Sequence, residues 1–461
     1  MKKYAFDAIV IGAGQAGPPL VGRLTAAGMK VALVERKLLG GTCVNTGCMP
    51  TKALVASAYA AHLARRSADL GIAIRGAVEI DMPAVKARKD KVSNDARGRL
   101  EAWLGGMAGC TLFHGRAHFE SASELRVDDD VLSAPRIFIN VGGRAAIPPM
   151  PGVDTVRPLT NTTILELDAV PRHLVVVGGS YIGLEFAQMY RRFGAQVTVV
   201  EKGRRLIGRE DEDVSQAVRE ILEAEGIAMR LSAECISFKS SGSDICVGVD
   251  CESGDREVVG SHVLLAVGRR PNTDDLGLDK AGVEVDARGN IKVDDELRTS
   301  VSGIWALGDC NGRGAFTHTA YNDFEIVADN LLAGASRRVT DRIDTYALYV
   351  DPPLGRVGLT EAQAKAAHFK VKVGKRPMTR VGRAVEKGET LGFMKVVIDA
   401  EKDTLLGAAI LGVGGDEAIH GILDTMMAKG TASQLQHTVH IHPTVSELIP
   451  TVLAEAVPTS P

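Results

Sequence analysis

The sequence predicts an α/β protein: two Rossmann-like dinucleotide-binding units followed by a C-terminal α+β region. Three observations carry this expectation. A glycine fingerprint, Gly12-Ala13-Gly14-Gln15-Ala16-Gly17, lies between two short apolar runs, Phe6 to Ile11 and Lys30 to Val34, and the second run ends at Glu35. The same order returns at Gly178-Gly179-Ser180-Tyr181-Ile182-Gly183, flanked by Leu174 to Val177 and Val197 to Val200 and ending at Glu201. From Thr345 onwards the pattern changes to alternating strands and two helices.

In the first unit the apolar run reads as a buried parallel strand, and a helix to about Ala27 follows the glycines. Gly12 permits the tight turn, Gly14 lets a pyrophosphate approach the backbone, and Gly17 allows helix–strand packing. Glu35 is placed to take ribose hydroxyls. The second copy keeps the same spacing, since 23 positions separate Gly12 from Glu35 and Gly178 from Glu201. Ser180 replaces the middle glycine and is small enough for pyrophosphate approach. Two units imply two dinucleotides. Glu201 suits an unphosphorylated ribose and would repel a 2′-phosphate, so NADH is favoured over NADPH. Arg204 and Arg205 lie close behind and read equally as partners for a phosphate or as surface charges.

At 461 residues the chain suits roughly three domains. A net charge of −3 predicts no attraction to nucleic acid or to an anionic membrane. Lys86, Arg88, Lys89 and Lys91 read as the solvated face of a helix running from Met82 to about Met107. No apolar run reaches the ~18 residues that span a bilayer. The opening MKKYAFDAIV runs into a glycine fingerprint rather than a cleavage site, and seven cysteines is an odd number, so a cytoplasmic location is expected.

Two of those cysteines stand apart. In GGTCVNTGCMPTK, Gly40 to Lys52, Cys43 and Cys48 are four residues apart and run straight into a helix-forming stretch, Ala53 to Arg66. A cysteine in or near the first turn of a helix has its thiolate stabilised by the dipole and the free N–H groups. A disulfide in that position is easily reduced and re-formed. Cys246 and Cys251 repeat the spacing, but ICVGVDCESGD alternates like a strand, and a cross-link within one strand is geometrically poor. They read, with Cys110 and Cys235, as ordinary small residues. Cys310 has no assigned role.

The words GGTC, GC and PTK resemble the redox-active disulfide of the class I flavin-dependent pyridine nucleotide–disulfide oxidoreductases. That family contains dihydrolipoamide dehydrogenases, glutathione reductases and mercuric reductases. Gly303 to Asp309, GIWALGD, resembles its second FAD signature, and His442-Pro443-Thr444 with Glu447 resembles its HPTxxE signature. The resemblance spans essentially the whole chain. It implies a FAD-binding domain at 1–150, a nicotinamide domain at 151–271, a central FAD segment at 272–344 and a dimerisation domain at 345–461.

It also implies roles. Cys48 would stay beside the flavin as the charge-transfer thiolate, Cys43 would meet the substrate, and the His442–Glu447 dyad would move the proton from the other subunit of a homodimer. Gly41, Thr42, Lys52, Gly308, Asp309, Thr317 and His318 would face FAD. Gly178, Ser180, Tyr181, Gly183, Glu185 and Glu201 would serve the nicotinamide side, with Lys52 and Glu185 beside the flavin N5 and Tyr181 as a lid. His440 reads as structural, and no resident metal is implied.

GQAGPPL, GGTCVNTGCMPTK and HIHPTVSELIPT stand closest to the mercuric reductase-like branch, whose substrates include soft metal ions. The end, AEAVPTSP, lacks that branch's cysteine pair, so a metal would meet the Cys43–Cys48 dithiol directly. Dihydrolipoamide dehydrogenase is the alternative. Glutathione reductase fits less well because Leu448 follows Glu447. A non-catalytic redox sensor is disfavoured, since both cysteines and the His–Glu pair are present.

Overall fold

Short β-branched runs such as Ala8–Ile11 and Val31–Glu35 bury both faces, which suits the interior of a parallel sheet. The computed structural model describes residues 2–250 and 255–459 and divides into two compact units. The first unit comprises Met1–Ala53, Ala84–Ile147 and Val267–Arg342. Its parallel sheet runs in the order Ile304–Ala306, Ile137–Ile139, Ala8–Ile11, Val31–Glu35, Cys110–His114.

Alternation along each strand sends Ile9 and Ile11 to one face and Ala8 and Val10 to the other. The first face is covered by Phe119, Leu125 and Leu132 of a four-stranded sheet, Lys3–Ala5, Asp130–Ser133, Glu124–Val127 and Ala117–Phe119. The second packs on Leu20 and Leu24 of helix Gly17–Ala26 and on Phe324 and Val327 of helix Thr317–Ala333. Pro18 and Pro19 open the helix where no backbone donor is needed.

Helix Met82–Gly105 corrects the reading of the basic cluster as a solvated face. Lys89 is buried, Arg88 Nη1 donates to the Ala53 carbonyl at 2.7 Å, and Lys86 pairs with Asp90 at 2.7 Å. Of the four, Arg88 and Lys91 are exposed, as that reading expects, whereas Lys86 is half-buried. The long stems let these side chains cover apolar surface while their heads find partners, which a charge count does not show.

The second unit comprises Leu54–Pro83, Pro148–Ala266 and Ile343–Pro461. Its parallel sheet orders Ala228–Arg230, Gln196–Val200, His173–Val177 and His262–Leu265. Val175, Val177 and Val263 of that sheet pack on Phe238, Val247 and Val258 of the antiparallel sheet Glu234–Ser241, Asp244–Asp250 and Glu257–Gly260. Cys246 lies on the middle strand, as expected, while Cys251 falls outside the described residues.

The C-terminal region is a six-stranded antiparallel sheet, Thr345–Leu348, Leu354–Gly358, Leu405–Leu411, Phe393–Asp399, Val371–Pro377, Val457–Pro458. The expectation of two helices here was too simple. After the sheet come Gly415–Ala418, His420–Met427, Ala432–Gln436 and Ile449–Ala454 as separate short helices. The apolar period is broken at Gly430, and Thr431 then caps a new helix by accepting from the Gln434 amide.

Among the described residues, no helix is long and apolar enough to cross a membrane. Within the second unit, Lys395 is buried and its ammonium meets Asp211 at 3.1 Å, Asp213 at 3.2 Å and Glu361 at 2.9 Å. Asp211 in turn accepts the amides of Glu361 and Ala362, anchoring the start of the next helix. Lys395→Met keeps the stem but removes the cation from buried Asp211, whereas Asp213 keeps Lys375 and Glu361 keeps Lys365. It is expected to cost about 3–5 kcal/mol, read as a lowered urea midpoint of the first unfolding transition.

Candidate active site

Both fingerprint loops are built alike. Gly12 has φ +103°, and an added Cβ there would lie 2.3 Å from the Asn140 carbonyl oxygen. A Cβ on Gly17 would meet the Gly12 carbonyl at 2.2 Å, and one on Gly183 the Gly178 carbonyl at 2.0 Å. These glycines are demanded by the chain's own backbone. Gly14 is different. A Cβ there meets nothing closer than Asn140 Nδ2 at 3.4 Å, an ordinary contact. The chain itself tolerates a side chain at that point, so the bare backbone is room kept for a ligand, and the loop fits the pyrophosphate of FAD. Ser180, at the equivalent place, has an extended backbone with φ −113° that carries a side chain without strain.

The acids are pre-oriented. Glu35 accepts the Ala13 amide at 2.9 Å and the Lys37 amide at 2.8 Å. Glu201 accepts the Gly179 amide at 2.5 Å and the Gly203 amide at 2.6 Å. Each carboxylate oxygen keeps a lone pair beyond its amide, so ribose hydroxyls fit without rearrangement.

The sulfur pair packs directly on the first loop. Gly40, at φ +94°, donates its amide to the Ala13 carbonyl at 2.9 Å, and a Cβ on Gly41 would lie 2.8 Å from Gly14 Cα. Cys43 and Thr42 sit in the short helix Gly41–Thr46. After Gly47 the long helix begins at Cys48, four residues and more before the expected start at Ala53. Cys48 therefore occupies the helix N-terminus that the spacing predicts.

Both thiols are free, Cys43 half-buried and Cys48 exposed, and Cys48 Sγ lies 3.2 Å from Thr317 Oγ1. The Cys48 thiol is pulled down to about 6, first by the hydrogen bond from Cys43, then by Thr317 and the Lys52 ammonium, all against burial. Cys43 moves far the other way because it donates to Cys48, is buried, and feels the neighbouring charge. One proton serves two sulfurs, and it resides on Cys43.

Three residues not singled out in the sequence complete this part. Asn140 is buried and donates from Nδ2 to the Gly12 carbonyl at 3.1 Å, while its Oδ1 stands 3.3 Å from where a Gly308 Cβ would be. Arg269 Nη2 donates to the Gly143 carbonyl at 2.6 Å and reaches the Asp309 carboxylate at 3.4 Å. Asp323, also buried, accepts the Gly308 amide at 2.8 Å and Asn311 Nδ2 at 2.9 Å, and pairs with Arg342. Burial pushes the Asp323 carboxyl up, and these partners oppose it. Thr317 opens helix Thr317–Ala333, and exposed His318 stacks on the Phe316 ring at 5.3 Å. Cys310 is a core thiol: it is fully buried, donates to the Leu307 and Ile139 carbonyls, and is pushed up to about 12 by burial.

In the second unit, Tyr181 begins helix Tyr181–Phe193, and Glu185 is buried one turn on, accepting the Tyr349 amide at 3.0 Å. Arg204 and Arg205 are exposed, the latter donating to the Gly208 carbonyl at 3.1 Å. His442 Nδ1 lies 2.8 Å from Glu447 Oε2, with the imidazole 81% exposed and the carboxylate 14% exposed. Arg383 grips the Pro443 carbonyl at 2.6 Å and steadies this loop. Neighbouring Val439 and Ile441 are 96% and 80% exposed, whereas His440 Nδ1 is buried without a hydrogen-bond partner.

Asp323 holds the Gly308–Asp309 turn through a buried charge. Asp323→Ala should weaken FAD binding by roughly tenfold or more, as expected for one lost charge-assisted hydrogen bond, and Asp323→Asn by less. Flavin fluorescence on titrating apoprotein checks this.

Residues 6–323 match the family model described as pyridine nucleotide-disulphide oxidoreductase, and residues 345–453 match its dimerisation domain. The probable pyridine nucleotide-disulfide oxidoreductase RclA of Escherichia coli (strain K12) is 34% identical over 455 residues, covering 97% of this chain and 98% of that protein. A dihydrolipoyl dehydrogenase of Thermus scotoductus is 34% identical over 450 residues, covering 97% and 96%. A mercuric reductase of Bacillus cereus is 32% identical over 445 residues, covering 96% of this chain and 70% of that protein. Among solved structures, the Cu(II) complex of the HOCl-induced flavoprotein disulfide reductase RclA from Escherichia coli superposes with a TM-score of 0.89 at 32% identity, covering 98% and 99% of the two chains. The chain belongs to the FAD-dependent pyridine nucleotide–disulfide oxidoreductase family, and it is a flavin-dependent NAD(P)H oxidoreductase acting on a sulfur group or a metal ion.

Proposed function

We propose that this enzyme takes electrons from NADH through the Cys43–Cys48 pair to a disulfide or soft metal ion, as mercuric reductase-like proteins do. The observation that carries the reading is the unequal sulfur pair, with a low-lying Cys48 at a helix N-terminus and the proton held on Cys43. Bound FAD supplies the two-electron relay between a nicotinamide and the sulfurs.

The loop Gly12 to Gly17 with Glu35 holds its pyrophosphate and ribose, and Gly41, Thr42, Lys52, Gly308, Asp309, Thr317 and His318 line the rest. Gly178, Ser180, Gly183 and Glu201 would hold the nicotinamide nucleotide, with Tyr181 and Glu185 of the helix that follows serving it as well. The reduced pair then acts by thiol–disulfide exchange. Cys43 loses its proton to His442 and attacks a substrate sulfur, releasing one thiolate, which His442 protonates. The Cys48 thiolate next attacks the Cys43 sulfur, re-forming the internal disulfide and releasing the second half of the substrate as a thiolate, which takes its proton from water. Glu447 holds His442 Nδ1 and so fixes the tautomer and the ring's orientation.

We place the dyad in the partner subunit of a homodimer, a reading supported by the dimerisation-domain match and the bare Val439 and Ile441 beside His442. The same reading divides the chain at 150/151, 271/272 and 344/345 and locates it in the cytoplasm.

For the soft metal, support comes from the RclA relative described as a Cu(II) complex and from a dithiol open enough to meet an ion. Dihydrolipoamide dehydrogenase is the second reading, favoured by the Thermus scotoductus relative and by Glu201.

NADH consumption with lipoamide, against Cu(II) or Hg(II) buffered by thiol, separates them. Metal reduction lost in Cys43→Ser, with negligible lipoamide turnover, supports the first reading. Fast lipoamide turnover lost in the same variant makes the protein a dihydrolipoamide dehydrogenase. His442→Ala should lower exchange with a disulfide by about a hundredfold. NADH should exceed NADPH by about tenfold or more in kcat/KM, because the Glu201 carboxylate opposes a 2′-phosphate.

A further inference from the structure

Helix Tyr181–Phe193 carries a row of buried polar side chains, Glu185, Gln188 and Arg192, spaced so that all three share one face. That face meets the segment Tyr349 to Asp351, which joins strands Thr345–Leu348 and Leu354–Gly358. Glu185 Oε1 accepts the Tyr349 amide at 3.0 Å. Gln188 takes both backbone groups of Asp351: its Oε1 accepts the amide at 2.7 Å and its Nε2 donates to the carbonyl at 2.8 Å. Nε2 also donates to Glu225 Oε1 at 2.8 Å. Arg192 ends the row, with its guanidinium 2.7 Å from the Asp351 carboxylate and 2.7 Å from that of Glu225.

A side-chain amide is suited to this pairing because it donates and accepts from one planar group, as a neighbouring strand does. A carboxylate lacks the donor, and an aliphatic chain lacks both. Asp351 lies two residues beyond Tyr349, so the point where the segment is clamped and the point where it serves Glu185 move together. The N–H that meets Glu185 belongs to the main chain, and its place is set by the clamp rather than by the Tyr349 side chain.

We propose that Gln188 is a positioning residue for the nicotinamide half-reaction: by clamping the Asp351 backbone it presents the Tyr349 amide to Glu185 and fixes that carboxylate in one orientation. This rests on the reading of Glu185 as a residue that serves the nicotinamide. A buried carboxylate with a fixed backbone donor is oriented before the nucleotide arrives and needs no reordering on binding.

The test uses the holoenzyme with Gln188→Met, which keeps the length of the side chain and removes its hydrogen bonds. Hydrogen exchange at the Tyr349 and Asp351 amides should speed up by about tenfold or more, the size of one or two lost hydrogen bonds. In anaerobic stopped flow, flavin reduction by NADH should slow by about tenfold, while reoxidation of the photoreduced enzyme by dithiobis(nitrobenzoate) stays within about twofold of wild type. Glu185→Met supplies the reference. Adding Gln188→Met to it should change flavin reduction by less than about twofold, because a residue acting through Glu185 then has nothing to position. Gln188→Asn, an amide on a shorter stem, should act in the same direction and guards against an apolar side chain disturbing the fold.

Flavin reduction at the wild-type rate in Gln188→Met overturns the proposal, and so does unchanged exchange at the two amides. Equal slowing of both half-reactions, or a full further loss in the double variant, does so as well, since a general loss of packing would then be responsible. Wild-type flavin reduction in Glu185→Met would instead overturn the reading of Glu185, a result that no Gln188 variant gives.

Discussion

The tight backbone approach of Gly41 to Gly14 governs the chemistry around it. A Cβ on Gly41 would lie 2.8 Å from Gly14 Cα, and the Gly40 amide bonds the Ala13 carbonyl at 2.9 Å. This contact seats the sulfur-bearing helices on the dinucleotide loop itself. Both glycines have φ values in the left-handed region, +94° and +61°, where other residues are strained. A bulkier side chain at either place would push Cys43 and Cys48 away from the loop. Geometry at the thiols is therefore inherited from glycines several residues upstream.

Around that contact, polar groups are spent on holding backbone. Glu35 and Glu201 each clamp two amides, Asn140 ties the first loop by the Gly12 carbonyl, and Asp323 secures the Gly308 amide. A carboxylate already bonded to two N–H groups loses little freedom when a ribose arrives, so affinity is not consumed by ordering it. The two nucleotide loops share this device at equivalent positions. The duplication is thus one of hydrogen-bond architecture, beyond the pattern of glycines.

How much was legible in the sequence follows from how local each constraint is. Gly12, Gly17 and Glu35 act within one turn and its flanking strands, so spacing alone reveals them. Cys48 at a helix start was legible for the same reason, although the helix begins earlier than the apolar pattern indicated. Asn140, Arg269 and Asp323 were not, because their partners lie far away in sequence or across the sheet, and a single Asn, Arg or Asp carries no periodic mark. Asn140 follows the strand Ile137–Ile139 that enters the sheet beside Ala8–Ile11, and this position at a strand end was the available signal. Lys89 reads as solvated in any charge pattern and proves buried. Its ammonium pairs with the neighbouring Asp90, and the cover over its stem exists only after the chain folds.

The two halves of the proton problem are solved in opposite ways. Cys48 is stabilised as an anion by fixed donors and a helix end, which need no movement during turnover. Cys43 retains its proton because its neighbour is charged, so it must wait for a base. In the reading proposed above that base is His442, which is held by a buried anchor, with Glu447 14% exposed and the imidazole 81% exposed. A ring held at Nδ1 and bare at its other nitrogen is built to meet something outside its own unit. Val439 and Ile441 beside it are apolar and almost fully exposed, a costly arrangement for a free surface and a reasonable one for a surface that another subunit covers. The electrostatics of the sulfur pair and the exposure of the imidazole are thus both accounted for by the proposed reading, in which a proton held on Cys43 waits for a base from another subunit.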